Sequence, residues 1–378
     1  MRRRNSATYV GKLVLATNIL DGVIQVRGNV FCSVSPGRRT AKREHISGTF
    51  VIPGLVDIHS DAIEKEVEPR CGARMPLGVA ISSIDARLAS CAITTVFHSL
   101  HTLAIKYDSS RSAASARRTV EALSKCVAEG LTRVRHRVIV RCELTDEESC
   151  QIAAELLRKD IVTGVCIQDH TPSNDEDVAR FPQFCLTELG MSPAEASSYL
   201  AAKRKRLQFK ERNAKTIAQQ AHAVGKCILT HDDCDRSDIQ KAMGLGATVS
   251  EFPATPQVTE IARQQGLYVC FGAPNALRGR SHAGHAAAKH ALKPTPMDIL
   301  CSDYYPPALL PAIWNWGAKK ASLPEAVRLS TLNPASAMRL RRIGIIAPGN
   351  YADFAIVQER ANQELCIEEV YVGGRRVH

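Results

Sequence analysis

The chain has 378 residues, 45% of them hydrophobic and 23% charged, the composition of a globular protein with a large buried core rather than a disordered one. Its 49 Lys and Arg against 38 Asp and Glu give a net charge of +11, a bias toward anionic partners: nucleic acid, an anionic membrane or a small polyphosphate. The 13 cysteines are an odd number with no CxxC pair, which argues against a disulfide framework, and no apolar run reaches the roughly 18 residues of a membrane span.

The opening MRRRNSATYVGKLVLATNILDG lacks the sustained apolar core of a signal peptide, so a cytoplasmic protein is expected. Residues 8 to 50 carry short strand-like pieces, KLVLAT, GVIQVRG and NVFCSV, separated by Gly and Pro turns, as in a small antiparallel sheet. Eight apolar, β-branched runs follow: FVIPGLVDI (50–58), ITTVFHS (93–99), RVIVRCEL (137–144), IVTGVCIQD (161–169), KCILT (226–230), ATVSEF (247–252), LYVCFG (267–272) and MDILCS (297–302). Helical patterns such as SAASARRTVEALSKCVAEG lie between most of them. Strands buried on both faces and separated by helices imply a parallel sheet with helices outside. Eight of them predict an α/β protein built on a (β/α)8 TIM barrel of about 250 residues.

The longest connection, 171–221, has helical patterns of its own. Its basic run KRKRLQFKER (203–212) reads as a solvated helix face, with little aromatic interleaving for a nucleic-acid patch. Near the C-terminus, IIAPGNYADFAIVQ and ELCIEEVYVGGRRV return to strand texture. The economical division is a barrel over 51–344 beside one small β-sandwich assembled from 1–50 and 345–378.

In such a barrel the chemistry sits at the carboxyl ends of the strands. There the sequence places His59 and Asp61, Glu143, Asp169 and His170, His231 with Asp232 and Asp233, and Asp303. His59 and Asp61 stand two residues apart and should share a face of their strand. Alone, that pair is an ordinary hydrogen-bonded strand end. Converging at one mouth, three His and three carboxylates suit borderline divalent metals such as Zn, Mn or Ni. The set is too large for one four-coordinate ion and suits two ions about 3.5–4 Å apart, an arrangement that activates water for hydrolysis. Asp303 can both bind metal and take the proton of the attacking water. Asp232 and Asp233 are expected to orient ligands or cap a helix. GAPNALRGRSHAGH (272–285) reads as a glycine-rich loop on the same rim, bringing Asn275, Arg278, Arg280, Ser281, His282 and His285 toward an anion.

Several motifs in series, VIPGLVDIH, AITTV, LPEAVRLSTLNPASA and GIIAPGNYADFAIV, make the chain resemble the amidohydrolase superfamily. HSD with a downstream PR, HRVIVRCEL, DHTP, THDD, EFPAT, GAPN with RGRSH, and SDYYP are similar to its PhnM branch, the diphosphatases of the carbon-phosphorus lyase pathway in phosphonate metabolism. That resemblance implies the barrel with its terminal β-sandwich, a divalent metal site, and hydrolysis of α-D-ribose 1-methylphosphonate 5-triphosphate to the 5-phosphate and pyrophosphate. It further implies His59, Asp61, Glu143, His170, His231 and Asp303 as metal ligands, with Asp303 the proton acceptor. Arg70, Asn275, Arg278, Ser281 and His282 are the expected substrate contacts.

Ala62, Arg280 and His285 depart from the pattern expected of that branch, which leaves another phosphorylated substrate open. The rival hydrolytic expectation is cleavage of a cyclic amide or amidine C–N bond, which predicts fewer basic groups at the mouth. A metal-free nucleic-acid or scaffold protein built on KRKR is the rival outside enzymology. Neither nucleic acid nor a membrane is an expected partner, and a homo-oligomer is compatible with the sequence.

Overall fold

The computed structural model describes residues 6–37, 49–105, 109–172, 174–279, 295, 297–319, 322–360 and 364–378. Four strands open the chain, β1 (Ser6–Val14), β2 (Ile19–Arg27), β3 (Val30–Pro36) and β4 (Thr49–Pro53), and three close it, β13 (Phe354–Glu359), β14 (Leu365–Val372) and β15 (Arg375–Arg376). Between them lie β5 (Leu55–Ser60), β6 (Ile93–His101), β7 (Arg135–Glu143), β8 (Val162–Gln168), β9 (Cys227–His231), β10 (Val249–Glu251), β11 (Tyr268–Gly272) and β12 (Asp298–Cys301).

The eight middle strands pair in chain order in one parallel sheet, while the terminal strands form a seven-stranded sheet ordered β15-β14-β13-β4-β1-β2-β3. The expected barrel and the β unit drawn from both ends of the chain are therefore present. β12 returns to β5 through backbone bonds: the Asp303 amide donates to the His59 carbonyl and the Asp61 amide to the Asp303 carbonyl, each at 2.9 Å. These bonds join the two ends of the barrel sheet at the level where the chemistry is expected.

Apolar side chains on alternate positions fill the barrel beneath that level, among them Val56, Ile58, Phe97, Ile139, Leu229 and Ile299. A larger apolar layer separates the strands from the surrounding helices. Local signals start the helices: Ser112 accepts from the Ser115 amide ahead of α3 (Ala113–Ala128), and Thr255 from the Val258 amide ahead of α9 (Pro256–Gln264). Among the described residues, no helix is long and apolar enough to cross a membrane.

Three expectations about local structure change. FVIPGLVDI is two strands: β4 joins the terminal sheet, pairing with β13, and β5 joins the barrel, pairing with β6. The break is Gly54, where any Cβ would lie 2.3 Å from the Thr94 hydroxyl, so the chain crosses between sheets where only a glycine fits. KRKRLQFKER is not one solvated face either. Helix α6 (Pro193–Arg206) ends inside it and α7 (Lys210–Ala223) begins after a short 3-10 turn, and Lys203 is buried. GAPNALRG is not a loop: Ala273–Arg278 is helical, with Pro in its first turn and Gly279 left-handed at its end. Arg280, Ser281, His282 and His285 lie outside the described residues.

Candidate active site

Seven of the eight barrel strands deliver a titratable side chain to one mouth. His59 and Asp61 come from β5, His101 from β6, Glu143 from β7, Asp169 and His170 from just past β8, His231 from β9, Glu251 from β10 and Asp303 from just past β12. All of these except Glu251 line a cavity of about 590 Å³. Glu251 lies fully buried behind His59.

His59 is the hinge of the cluster. Its Nδ1 is 3.0 Å from Glu251 Oε2 and its Nε2 is 3.4 Å from Asp61 Oδ1. Burial opposes a charge on this imidazole, but Glu251 and Asp61 outweigh it and hold His59 well above the usual histidine value. Burial likewise works against ionisation of Asp61, and the Arg141 guanidinium overrides it, keeping the carboxyl well below its usual range. Arg141 Nη1 stands 3.1 Å from Asp61 Oδ1 and Nη2 donates to His231 Nε2 at 3.2 Å. His231 Nδ1 faces Asp232 at 3.1 Å. Asp303, buried and repelled by Asp61, is pushed up to about 7.

The backbone at this rim is unusual. Asp232, Phe252 and Asp303 each follow a strand end and have φ of 57°, 55° and 57°. Each donates its amide at 2.9 Å across to the adjacent strand, to the carbonyls of Glu251, Cys270 and His59 respectively. Asp tolerates the left-handed region, whereas a bulky Phe there is strained, and such strain concentrates at functional rims. Phe252 uses its position to pack edge-on against His59 and His231, with ring centroids 5.0 and 5.1 Å away.

The donor chemistry fits divalent cations. His59, Asp61 and Asp303 offer ligand atoms within 4.8 Å of one another, as do His170, His231 and Asp232, and His59, His231 and Glu251. Buried Glu251 Oε1 has no hydrogen-bond partner among the described residues. Among the described residues, six carboxylates line the cavity (Asp61, Glu143, Asp169, Asp177, Asp232, Asp303) against four Lys and Arg (Arg111, Arg141, Arg180, Lys203). Carboxylates outnumber cationic side chains among them.

Of the expected ligands, the structure brings all six, His59, Asp61, Glu143, His170, His231 and Asp303, to the cavity lining. Asp232 lines the cavity with them, and the cap of the next helix is Asp235 instead. Asn275 also lines the cavity. Arg278 is exposed, donating to the Tyr304 hydroxyl at 3.2 Å, and Tyr304 is a lining residue. Arg70 is exposed, in a short bridge with Ala73, and does not line the cavity.

Sequence reasoning missed His101, Glu251, Arg141 and Lys203. His101 is held by Glu64, whose Oε2 is 3.0 Å from its Nδ1. It ends a strand that runs two residues past the expected ITTVFHS, and Glu251 stands inside ATVSEF, so both were readable as polar strand ends.

The Amidohydrolase family profile matches residues 213–377. The chain is 30% identical over 377 residues to the alpha-D-ribose 1-methylphosphonate 5-triphosphate diphosphatase of Escherichia coli (strain K12), covering 97% of this chain and 98% of that one. Among solved structures it resembles N-acetyl-D-glucosamine-6-phosphate deacetylase from Mycobacterium smegmatis, with a TM-score of 0.63 at 14% identity over 99% of each chain. It also resembles the beta-aspartyl dipeptidase of Fervidobacterium islandicum AW-1, with a TM-score of 0.61 at 16% identity over 98% of this chain and 96% of the other. At such identities the two structures speak for the fold alone. End-to-end likeness to the diphosphatase and the shared barrel together mean that the chain belongs to the amidohydrolase family and is a hydrolase of that superfamily acting on a small molecule.

Proposed function

We propose that this enzyme hydrolyses α-D-ribose 1-methylphosphonate 5-triphosphate to the 5-phosphate and pyrophosphate, a step of phosphonate catabolism, in the cytoplasm. The observation that carries the reading is the 30% identity, sustained over 97% of the chain, to a diphosphatase with that substrate in its name. The barrel, beginning at Leu55 and not at residue 51 because β4 lies in the terminal sheet, and running to 344, would hold the site, and the segment before it with 345–378 the flanking β unit.

The residues that would hold divalent ions, Zn first with Mn or Ni as alternatives, are His59, Asp61, Glu143, His170, His231 and Asp303, with Asp232 and Glu251 close by. Two such ions, when bound, supply Lewis acidity toward phosphate oxygens and ease deprotonation of water. They also bear on charge. Histidines aside, the described lining residues carry more carboxylates than Lys and Arg, and two dications would offset that excess in favour of an anionic triphosphate.

The chain's own groups have distinct tasks. Asp303 accepts the proton of the water that attacks phosphorus at the anhydride bridge between the first and second phosphates, as the bond from that phosphorus to the bridging oxygen breaks and the oxygen leaves with the other product. Arg141, Arg111 and Arg180 offset the negative charge of the phosphates, and Asn275 and Arg278 with Tyr304 contact them from the β11 and β12 side of the rim. Ser281 and His282 are the remaining proposed contacts. Purified enzyme should contain bound divalent metal and release pyrophosphate from the triphosphoribosyl phosphonate faster than from nucleoside triphosphates. Turnover of a cyclic amide with no pyrophosphate release from any triphosphate would overturn the assignment.

A further inference from the structure

The connection from β8 to β9 folds as α5 (Asp175–Leu189), α6 and α7, and one of its side chains reaches the centre of the site. Lys203, 3% exposed, extends from the last turn of α6 so that its Nζ lies 2.8 Å from Glu143 Oε1 and donates to the Thr145 hydroxyl at 2.9 Å. Thr145 in turn donates to the same Glu143 oxygen at 3.2 Å. The other oxygen, Oε2, faces His170 Nδ1 at 3.3 Å.

We propose that Lys203 is a positioning residue of the metal centre: with Thr145 it clamps Oε1 of Glu143 and thereby aims Oε2 at the cation side, next to His170. The inference rests on Glu143 being a ligand. Docking of α6 does not rest on this lysine alone, because α6 buries Ala196 in an apolar cluster with Leu103 and with Phe181, Cys185 and Leu189 of α5, and Tyr199 and Leu200 pack against it. A buried ion pair adds little net stability over apolar packing, since desolvation consumes most of the attraction. A lysine free to do so snorkels its ammonium to water. Here the ammonium turns inward, with the Tyr199 ring centroid 5.7 Å away. Partners that orient a ligand in this way typically change metal affinity when removed.

The test is metal affinity measured by competition with a chelating indicator, using Zn alone, for the wild type, Lys203→Met and Thr145→Val. Lys203→Met is expected to bind Zn about ten- to a hundredfold more weakly, with kcat recovering as excess metal is added, and Thr145→Val to shift the same way by less. Unchanged Zn affinity in Lys203→Met overturns the proposal, whether the variant shows a raised KM, which marks a substrate contact, or a lowered Tm, which marks a purely structural lysine. Should Lys203→Met not fold, Thr145→Val decides: unchanged affinity there removes the clamp. A wild type that binds Zn tightly yet releases no pyrophosphate would sink the substrate assignment and leave this inference standing.

Discussion

A Cβ placed on Gly272 would lie 2.8 Å from Oδ2 of Asp303; the end of β11 is bare so that the carboxylate beyond β12 can lie across it. Gly272 has φ −79° and ψ 126°, which any residue adopts, so its lack of a side chain provides room and not backbone freedom. Gly272→Ala should therefore fold normally and displace Asp303. Because a shift on the order of 1 Å in a reacting group costs up to roughly a hundredfold, kcat should fall about ten- to a hundredfold while Tm stays near that of the wild type. An unaltered kcat would mean that Asp303 does not act from its present position.

Asp303 itself is best probed with asparagine. Its φ of 57° is tolerated by Asp and Asn and by few other residues, so Asp303→Asn removes the proposed proton acceptor without adding strain, whereas Asp303→Ala would do both. General acid–base contributions of about 10²–10⁴ are typical, and loss of a metal donor adds to that. Initial rates of pyrophosphate release should fall by about a thousandfold or more. Retained turnover would move the proton acceptor elsewhere in the mouth.

The eight strands were legible as short, mainly apolar and β-branched runs, and so were the polar residues that end most of them, His101 and Glu251 excepted. The same texture misled at FVIPGLVDI, since apolar residues on either side of Gly54 look alike although they belong to different sheets. Only contact with Thr94, forty residues downstream, marks the boundary. Arg141 was within reach of the argument: the two-residue step that carries Glu143 inward from Ile139 passes through it. Lys203 was not, because nothing in a basic helical run tells which lysine turns inward; that choice is made by packing of α6 against α5. Arg70 shows the converse. The family resemblance, through HSD with its downstream PR, implied a phosphate contact, yet the intervening α1 (Ala62–Val67) and the turn after it leave Arg70 exposed and off the cavity lining.

Outside the site, His98 and His136 form a buried chain to Asp85 between the barrel and α2 (Leu77–Ser90). His98 Nε2 lies 2.8 Å from His136 Nδ1, and His136 Nε2 lies 3.0 Å from Asp85 Oδ1. Burial, reinforced by the neighbouring His136, depresses the His98 pKa well below the usual histidine value. A base that binds its proton more weakly when folded leaves the unfolded chain holding more protons at acid pH, so stability falls as pH drops. The loss begins near the unfolded value of about 6.5 and grows by up to about 1.4 kcal/mol per pH unit. Asp85, held low despite burial by hydrogen bonds from His136 and the Val134 and Arg133 amides, adds loss of the same sign only below about pH 4. His98→Gln should be less stable than wild type at pH 7.5 and should close that gap between pH 6.5 and 5, as read by urea unfolding at each pH. Parallel acid limbs for the two proteins would remove His98 as the source.

The proposed metal role of Asp61 is tested through Arg141. Its guanidinium is 5% exposed and spans Asp61, His231 and Gln168, with 2.8 Å to the Gln168 side-chain oxygen. Removing one partner of such a buried pair strands the other charge, at a cost of about 3–5 kcal/mol. Arg141→Gln strands Asp61, and the severity depends on what else neutralises that carboxylate. With a divalent ion bound at Asp61, the negative charge keeps a counter-charge and the variant loses only the hydrogen bonds; after chelation it has neither. The difference in Tm between Arg141→Gln and wild type should therefore be small in the metal-loaded proteins and several degrees larger in the chelated ones. Equal differences in both states would show that Asp61 is not a metal ligand and that its carboxylate belongs to Arg141 alone.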